Sequence, residues 1–219
     1  MQLHSAACLG ILAMGCALSG HADTVYNEAI QGDLSNSGLT PTAITIAVGS
    51  NQILGTTGSS GTGIDRDYFT ITVPSGLKLT ALIELAGTSV GGVSFIGLQA
   101  GNQFTLPTNA VTANGLLGWT HYGPAATDRD ILSAMSVPSN GSSGFTTPLN
   151  AGSYSFWIQD FNTGRFSYGF NVVLAPAPEP KAYALMLAGF AALILLAKQR
   201  KRSLTNLLHQ PHNSSSDLA

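Results

Sequence analysis

Tyr154-Ser155-Phe156-Trp157-Ile158-Gln159-Asp160 and Phe166-Ser167-Tyr168-Gly169-Phe170-Asn171-Val172-Val173-Leu174 decide the fold class. Tyr154, Phe156 and Ile158 alternate with polar or unlike residues, and so do Phe166, Tyr168, Phe170, Val172 and Leu174. A two-residue period puts alternate side chains on one face of an extended chain, so both stretches are predicted strands with one buried face. Asn162-Thr163-Gly164 lies between them and carries turn chemistry, which predicts a hairpin. Phe156, Ile158, Phe170 and Val172 are then expected in the core, with Trp157, Ser167 and Asn171 on the opposite, solvent-facing side.

The same alternation recurs upstream. Ile44, Ile46 and Val48 alternate with Thr45 and Ala47, and Phe69, Ile71 and Val73 with Thr70 and Thr72. Leu77, Leu79, Ala81, Ile83 and Leu85 are expected to face away from Lys78, Thr80 and Glu84. No window from 42 to 174 sustains a helical period, and Gly, Ser, Asn and Pro clusters separate the strands. An all-β, jelly-roll-like β-sandwich over residues 23–175 follows. About 150 residues suffice to bury a core without disulfides.

Composition agrees with an exported β protein. Only 9% of the 219 residues are charged and 25 are Gly, unlike a cytosolic helical enzyme. Both cysteines, Cys8 and Cys16, fall in an N-terminal apolar run, so a chain cut after that run has no thiol, no disulfide and no Cys-based catalysis or zinc site. Residues 23–175 carry nine acids against four bases, whereas residues 176–219 carry two acids and five bases. A basic cluster beside an apolar run points to a membrane and away from nucleic acid.

The two ends read as addresses. Residues 6–19 are apolar, and Gly20-His21-Ala22 offers small residues at the −3 and −1 positions of a cleavage site, so residues 1–22 are expected to be a signal peptide. Near the other end, residues 182–197 hold no charge and are expected to form one transmembrane helix. Sixteen helical residues span roughly 24 Å against a hydrocarbon core of roughly 30 Å, a gap Lys181 and Lys198 can close by snorkelling. Lys198, Arg200, Lys201 and Arg202 then hold the following segment, 203–219, in the cytoplasm. Ahead of the run, Pro176, Pro178 and Pro180 keep the chain extended as a spacer.

Pro178-Glu179-Pro180, an apolar helix containing Gly189, and Lys198-Gln199-Arg200-Lys201-Arg202, in this order, resemble the PEP-CTERM sorting signal of Gram-negative bacteria, here spanning 176–202. The resemblance implies export through the inner membrane and a membrane-anchored precursor. It further implies processing near the motif by an exosortase-type transpeptidase, and a host that makes exopolysaccharide. A second resemblance covers most of residues 25–175. Gly32-Asp33-Leu34-Ser35, Asp65-Arg66-Asp67-Tyr68-Phe69 with Val73-Pro74 and Gly76, and Leu149-Asn150-Ala151-Gly152-Ser153-Tyr154 are similar to landmarks of the bacterial pre-peptidase C-terminal domain. That family implies a small jelly-roll accessory module, with calcium or polysaccharide binding among some members.

Candidate chemistry is sparse. His121 is the one histidine between 23 and 175, and no Gly-x-Ser-x-Gly elbow is present, so a Ser-His-Asp arrangement is not expected. A glycosidase pair would have to come from Asp65, Asp67, Glu84, Asp128, Asp130 or Asp160. Asp-Arg-Asp occurs at 65–67 and again at 128–130, and residues two apart on an extended chain point the same way. Asp65 and Asp67 could therefore offer Ca²⁺ paired hard oxygens, or each Arg could simply offset its neighbours on a solvated loop. Trp119, Tyr122, Trp157 and Phe161 could stack on sugars or pack against the sandwich. The expectation is a non-enzymatic, exosortase-sorted protein with a structural or adhesive role in an exopolysaccharide matrix. The alternatives are a Ca²⁺-dependent carbohydrate-binding module and a secreted hydrolase.

Overall fold

A computed structural model describes residues 22–92, 94–124, 127–178 and 180–208. All but the last residue of the expected signal peptide, both cysteines, Glu179 of the Pro-Glu-Pro motif and residues 209–219 lie outside the described residues. The chain divides into two compact units, Met1–Ala175 and Pro176–Ala219.

In chain order the first unit holds β1 (Asp23–Asn27), α1 (Glu28–Gln31), β2 (Thr42–Ala43), β3 (Gly49–Ser60), β4 (Gly63–Val73) and β5 (Leu77–Glu84). It continues with β6 (Ser94–Ala100), β7 (Gly118–Thr120), β8 (Arg129–Asp130), α2 (Leu132–Met135), β9 (Gly152–Asp160) and β10 (Gly164–Pro176). The fold is all-β. One continuous, largely antiparallel sheet runs β7-β6-β9-β4-β3-β10-β5-β8, with β1 added in parallel to β3 and β2 in parallel to β4. Pairing of β3 with β4 is confined to Gly58–Ser60 against Gly63–Asp65, the turn end of a long hairpin whose arms then diverge. Beyond it, β4 pairs with β9 and β3 with β10. The sheet thus curls on itself, and Phe69, Ile71, Phe156 and Ile158 share one apolar cluster with Ile53, Phe170, Val172 and Leu174.

The expected hairpin between the two deciding strands is not formed. β9 pairs with β4 and β6, whereas β10 pairs with β3 and neighbours β5. Period-two burial requires only that a strand have one dry face. It is satisfied equally by two strands side by side and by two strands in different arms of a curled sheet, and Asn162-Thr163-Gly164 makes the crossing instead of a tight turn. The facing itself holds: Phe156, Ile158, Phe170 and Val172 are fully buried.

Register explains the second correction. Phe69 lies opposite Phe156 and Tyr68 opposite Trp157 on β4 and β9. The first pair stacks inside, with ring centroids 4.8 Å apart. The second pair stacks at 5.4 Å on the outer face, where solvent was expected. The connection between β6 and β7 folds over that face and brings Phe104, Ala113 and Leu116 against Tyr68 and Trp157. Trp157 is therefore buried, and so is Asn171 on β10. In β5 the alternation breaks: Leu79 and Leu82 are both buried, and Glu84 faces inward in place of Ile83. Arg129 compensates it with an ion pair of 2.5 Å.

The second unit contains α3 (Pro180–Leu208), whose Leu185, Leu187, Phe190, Leu193 and Leu196 are exposed. Among the described residues no helix is long and apolar enough to cross a membrane. The uncharged run ends at Ala197, and Lys198, Arg200, Lys201 and Arg202 continue the same helix, exposed.

Candidate functional site

β4 presents Asp65, Asp67, Phe69 and Ile71 on its inner face, so the acidic pair sits where the apolar lining gives out. Phe69 and Ile71 are in the core, Asp67 is fully buried beside them, and Asp65 is half-buried at the wall of a cleft of about 1220 Å³. What meets Asp67 comes from the N-terminal segment. Asn27 caps α1, its Oδ1 accepting from the Ala29 backbone at 3.0 Å. This starts a single helical turn that aims Glu28 back at β3. Glu28 Oε2 accepts from the Thr56 backbone N–H at 2.8 Å, and Oε1 from that of Leu34 at 3.3 Å. Gly32, with φ of 92°, turns the chain so that Asp33 follows into the same place. Carboxylate oxygens of Glu28, Asp33 and Asp67 all lie within 4.8 Å of one another.

The surroundings are poor in compensation. Neither Asp67 oxygen has a hydrogen-bond partner, nor has the buried Tyr168 hydroxyl. Tyr168 lies close enough to interact with the Asp67 carboxyl, but the geometry falls short of a hydrogen bond. Among the described residues no Lys or Arg forms an ion pair with Glu28, Asp33 or Asp67. Arg66 donates to Gln159 at 3.2 Å and Arg165 to Thr56 Oγ1 at 2.8 Å.

Burial without a compensating charge disfavours the ionised form of a carboxyl. Burial, reinforced by the Glu28 charge, pushes Asp67 up to about 9. Burial also raises Glu28, against the hydrogen bonds from Thr56 and Leu34. Asp65 is raised by burial and by Asp33, and Arg165 works the other way. Burial and the neighbouring Asp67 raise Tyr168.

The second Asp-Arg-Asp behaves differently. Asp130 Oδ1 accepts from the backbone N–H groups of Leu82 and Leu132, and Asp128 Oδ1 from that of Ala86. Asp160 likewise accepts from Gly91 and Asn162. These carboxylates, with Glu84, tie loops to the sheet and do not converge on a cleft. The four aromatic residues do not form a sugar platform either: Tyr122 and Trp157 are buried, and Phe161 is 44% exposed. His121 is exposed, contacts the Ser94 carbonyl through Nδ1 and meets Trp119 edge-on.

Of the sequence-predicted residues, Asp67 is thus joined by Glu28 and Asp33, which were not anticipated as partners. Their signal was present: two acids within ten residues of Asp23, in a region otherwise short of charge, one of them directly after Gly32.

No family model matches the chain, and no curated protein matches it. Among solved structures it is similar to PliG of Aeromonas hydrophila, a periplasmic lysozyme inhibitor of g-type lysozyme. That match has 12% identity over 61% of this chain and 96% of the other, with a TM-score of 0.35.

Proposed function

We propose that this is an exported surface or extracellular-matrix protein with a structural or adhesive, non-enzymatic role in an exopolysaccharide matrix, delivered there by exosortase sorting. One observation carries the reading: Pro178-Glu179-Pro180, the apolar run and Lys198 to Arg202 stand in the order of a PEP-CTERM signal. Two features support it. A signal-peptide-like segment precedes an all-β domain that resembles a jelly-roll accessory module, and a Pro-rich stretch separates that domain from α3. The apolar face of α3 and its basic flank bring the precursor to the membrane, where anionic lipid attracts Lys and Arg. Polysaccharide is the matrix component that such a domain would contact.

The test is processing in a host with a working exosortase. Glu179→Ala should leave export and membrane association intact while abolishing cleavage near the motif, so that precursor accumulates in the membrane fraction. Mass spectrometry of the C-terminus distinguishes the outcomes. Unchanged processing of the variant, or surface delivery in a host lacking the transpeptidase, would overturn the reading.

A further inference from the structure

We infer that residues 23–32, β1 and α1 together, are an exchangeable arm that seats on strand β3 of a second copy of this chain and joins two copies into a two-fold dimer. The inference concerns the β domain and stands independently of how the chain is sorted.

The arm is held together from within. Asn27 Oδ1 accepts from the Ala29 backbone N–H, and Gln31 Oε1 accepts from that of Asn27 at 2.6 Å. The Gln31 amide donates back to the Val25 carbonyl, and the Tyr26 hydroxyl donates to the Gly32 carbonyl at 2.9 Å. The segment therefore keeps its shape as a unit. It gives the domain little in return: no residue of β1 or α1 is buried, and Val25 and Tyr26 pack half-exposed against the rim of the core. From Leu34 onward the chain is fixed, because Leu34 is buried and Ser35 bridges to Tyr68 on β4. Between arm and domain stands Gly32, at φ 92° and ψ 170°, a conformation nearly reserved to glycine. Nothing lies within 4 Å of where its Cβ would be, so it is a hinge in open space.

The topology defines the seat. Once β3 and β4 part, β3 keeps β10 along one side, and on the other side residues 51–54 pair only with β1 among the described residues. A strand edge stripped of its partner presents unpaired N–H and C=O groups, a template for another strand. The strand that fits is on the page as the arm itself, with Thr24 opposite Gln52 and Glu28 accepting from the Thr56 backbone. An identical arm from a second copy restores each of these bonds, so exchange opens a hinge and leaves the pairing as it was.

Two features loosen the arm where it sits. A carboxyl oxygen of Glu28 lies within 4.8 Å of one on Asp33 and one on Asp67, and among the described residues no Lys or Arg forms an ion pair with the three. The parallel ladder also carries a register shift between Thr24 and Tyr26. Neither feature favours the home seat over the same seat on another copy. Because the hinge stands at the parting of β3 and β4, an arm that swings out reaches a copy whose own parting faces it. Reciprocal exchange about a two-fold axis satisfies both copies and closes the assembly.

The experiment uses the full chain with Cys8→Ser and Cys16→Ser, so that introduced thiols are the only ones. Thr24 and Gln52 are register partners, close enough for a disulfide wherever the arm is seated. One preparation carries Thr24→Cys and another Gln52→Cys, so neither can bridge within itself. Mixed in a glutathione buffer, they should form covalent dimer about tenfold or more above Thr24→Cys mixed with Val111→Cys, because seating holds two thiols at high effective concentration. Val111 is 89% exposed, in the connection between β6 and β7, and reports random collision. Mass spectrometry should place the bridge between positions 24 and 52. A chain carrying both substitutions, oxidised at high concentration, should yield dimers closed by two such bridges. Gly32→Ala, which strains the closed hinge, should raise the mixed yield several-fold. A mixed yield no higher than the Val111 control, with the double variant bridging only within single chains, overturns the inference, since the arm then stays on its own domain. A double variant that forms no bridge overturns it too, because the arm would not occupy this seat. A yield that does not rise in Gly32→Ala overturns the hinge and with it the exchange.

Discussion

Tyr168 lies directly across from Gly55 on the paired strands β10 and β3, its ring folded so tightly over the glycine that a Cβ would stand 2.3 Å from the phenol oxygen. Glycine in a strand interior costs conformational entropy, so its presence marks a close approach. Here the approach is what lets Tyr168 and Glu28 reach the acidic cluster. Gly55→Ala should therefore destabilise the protein by about 1–3 kcal/mol, as overpacking does. Chemical denaturation checks this. A variant with the parental midpoint would show that the ring can move aside freely.

The inner face of the sheet supplies a second expectation. Phe170 is fully buried and meets Tyr122 edge-on at 5.4 Å. Phe170→Ala should cost about 3–5 kcal/mol. Ser167, exposed on the same strand, should tolerate polar replacement within about 0.5 kcal/mol. Asn171 does not belong with it, because that side chain is buried and its Oδ1 has no partner. Equal melting of Phe170→Ala and the parent would refute the strand facing.

The sequence made the strands and their dry faces legible, because burial leaves a local mark every second residue, as at Phe69, Ile71, Phe156, Ile158, Phe170 and Val172. Partnership leaves no such mark. Asn162-Thr163-Gly164 reads alike as a hairpin turn or as a crossing between the arms of a curled sheet, and only long-range pairing decides. The outer face of β9 misled for a related reason: the segment carrying Phe104 and Leu116 has no periodicity, yet it covers Trp157. At the candidate site, Asp65 and Asp67 were visible as a pair on one face. Glu28 and Asp33 were not, since a contact between residues 28 and 67 depends on β1 lying against β3.

The two Asp-Arg-Asp triplets should separate cleanly by mutation. Asp130 Oδ1 takes two backbone N–H donors, from Leu82 at 3.1 Å and Leu132 at 3.0 Å, and so pins α2 to β5. Asp130→Ala leaves both donors without their acceptor and should cost about 1–3 kcal/mol. Asp67→Asn, whose carboxyl oxygens have no geometric hydrogen-bond partner, should cost less. Urea unfolding midpoints of both variants are the check. A parental midpoint for Asp130→Ala would mean that the two N–H groups are satisfied without it.

With chelator present, stability should fall as pH rises. Burial raises Asp67 to about 9 in the folded chain against an ordinary carboxylate value of 3.8. A group raised on folding contributes stability that is fully present below its unfolded value and is lost as pH climbs through the folded one. The decline should thus run from about pH 4 to about pH 9, because the unfolded chain ionises Asp67 freely while the folded chain resists. Glu28 and Asp65 are raised too and act in the same direction. Asp67→Asn removes the largest contributor, so its stability should depend less on pH and exceed the parent's in chelator at about pH 8. Urea unfolding midpoints at about pH 5 and about pH 8 measure this. Parent stability that rises over the interval would mean that Asp67 is ionised in the folded protein and has found a partner of its own.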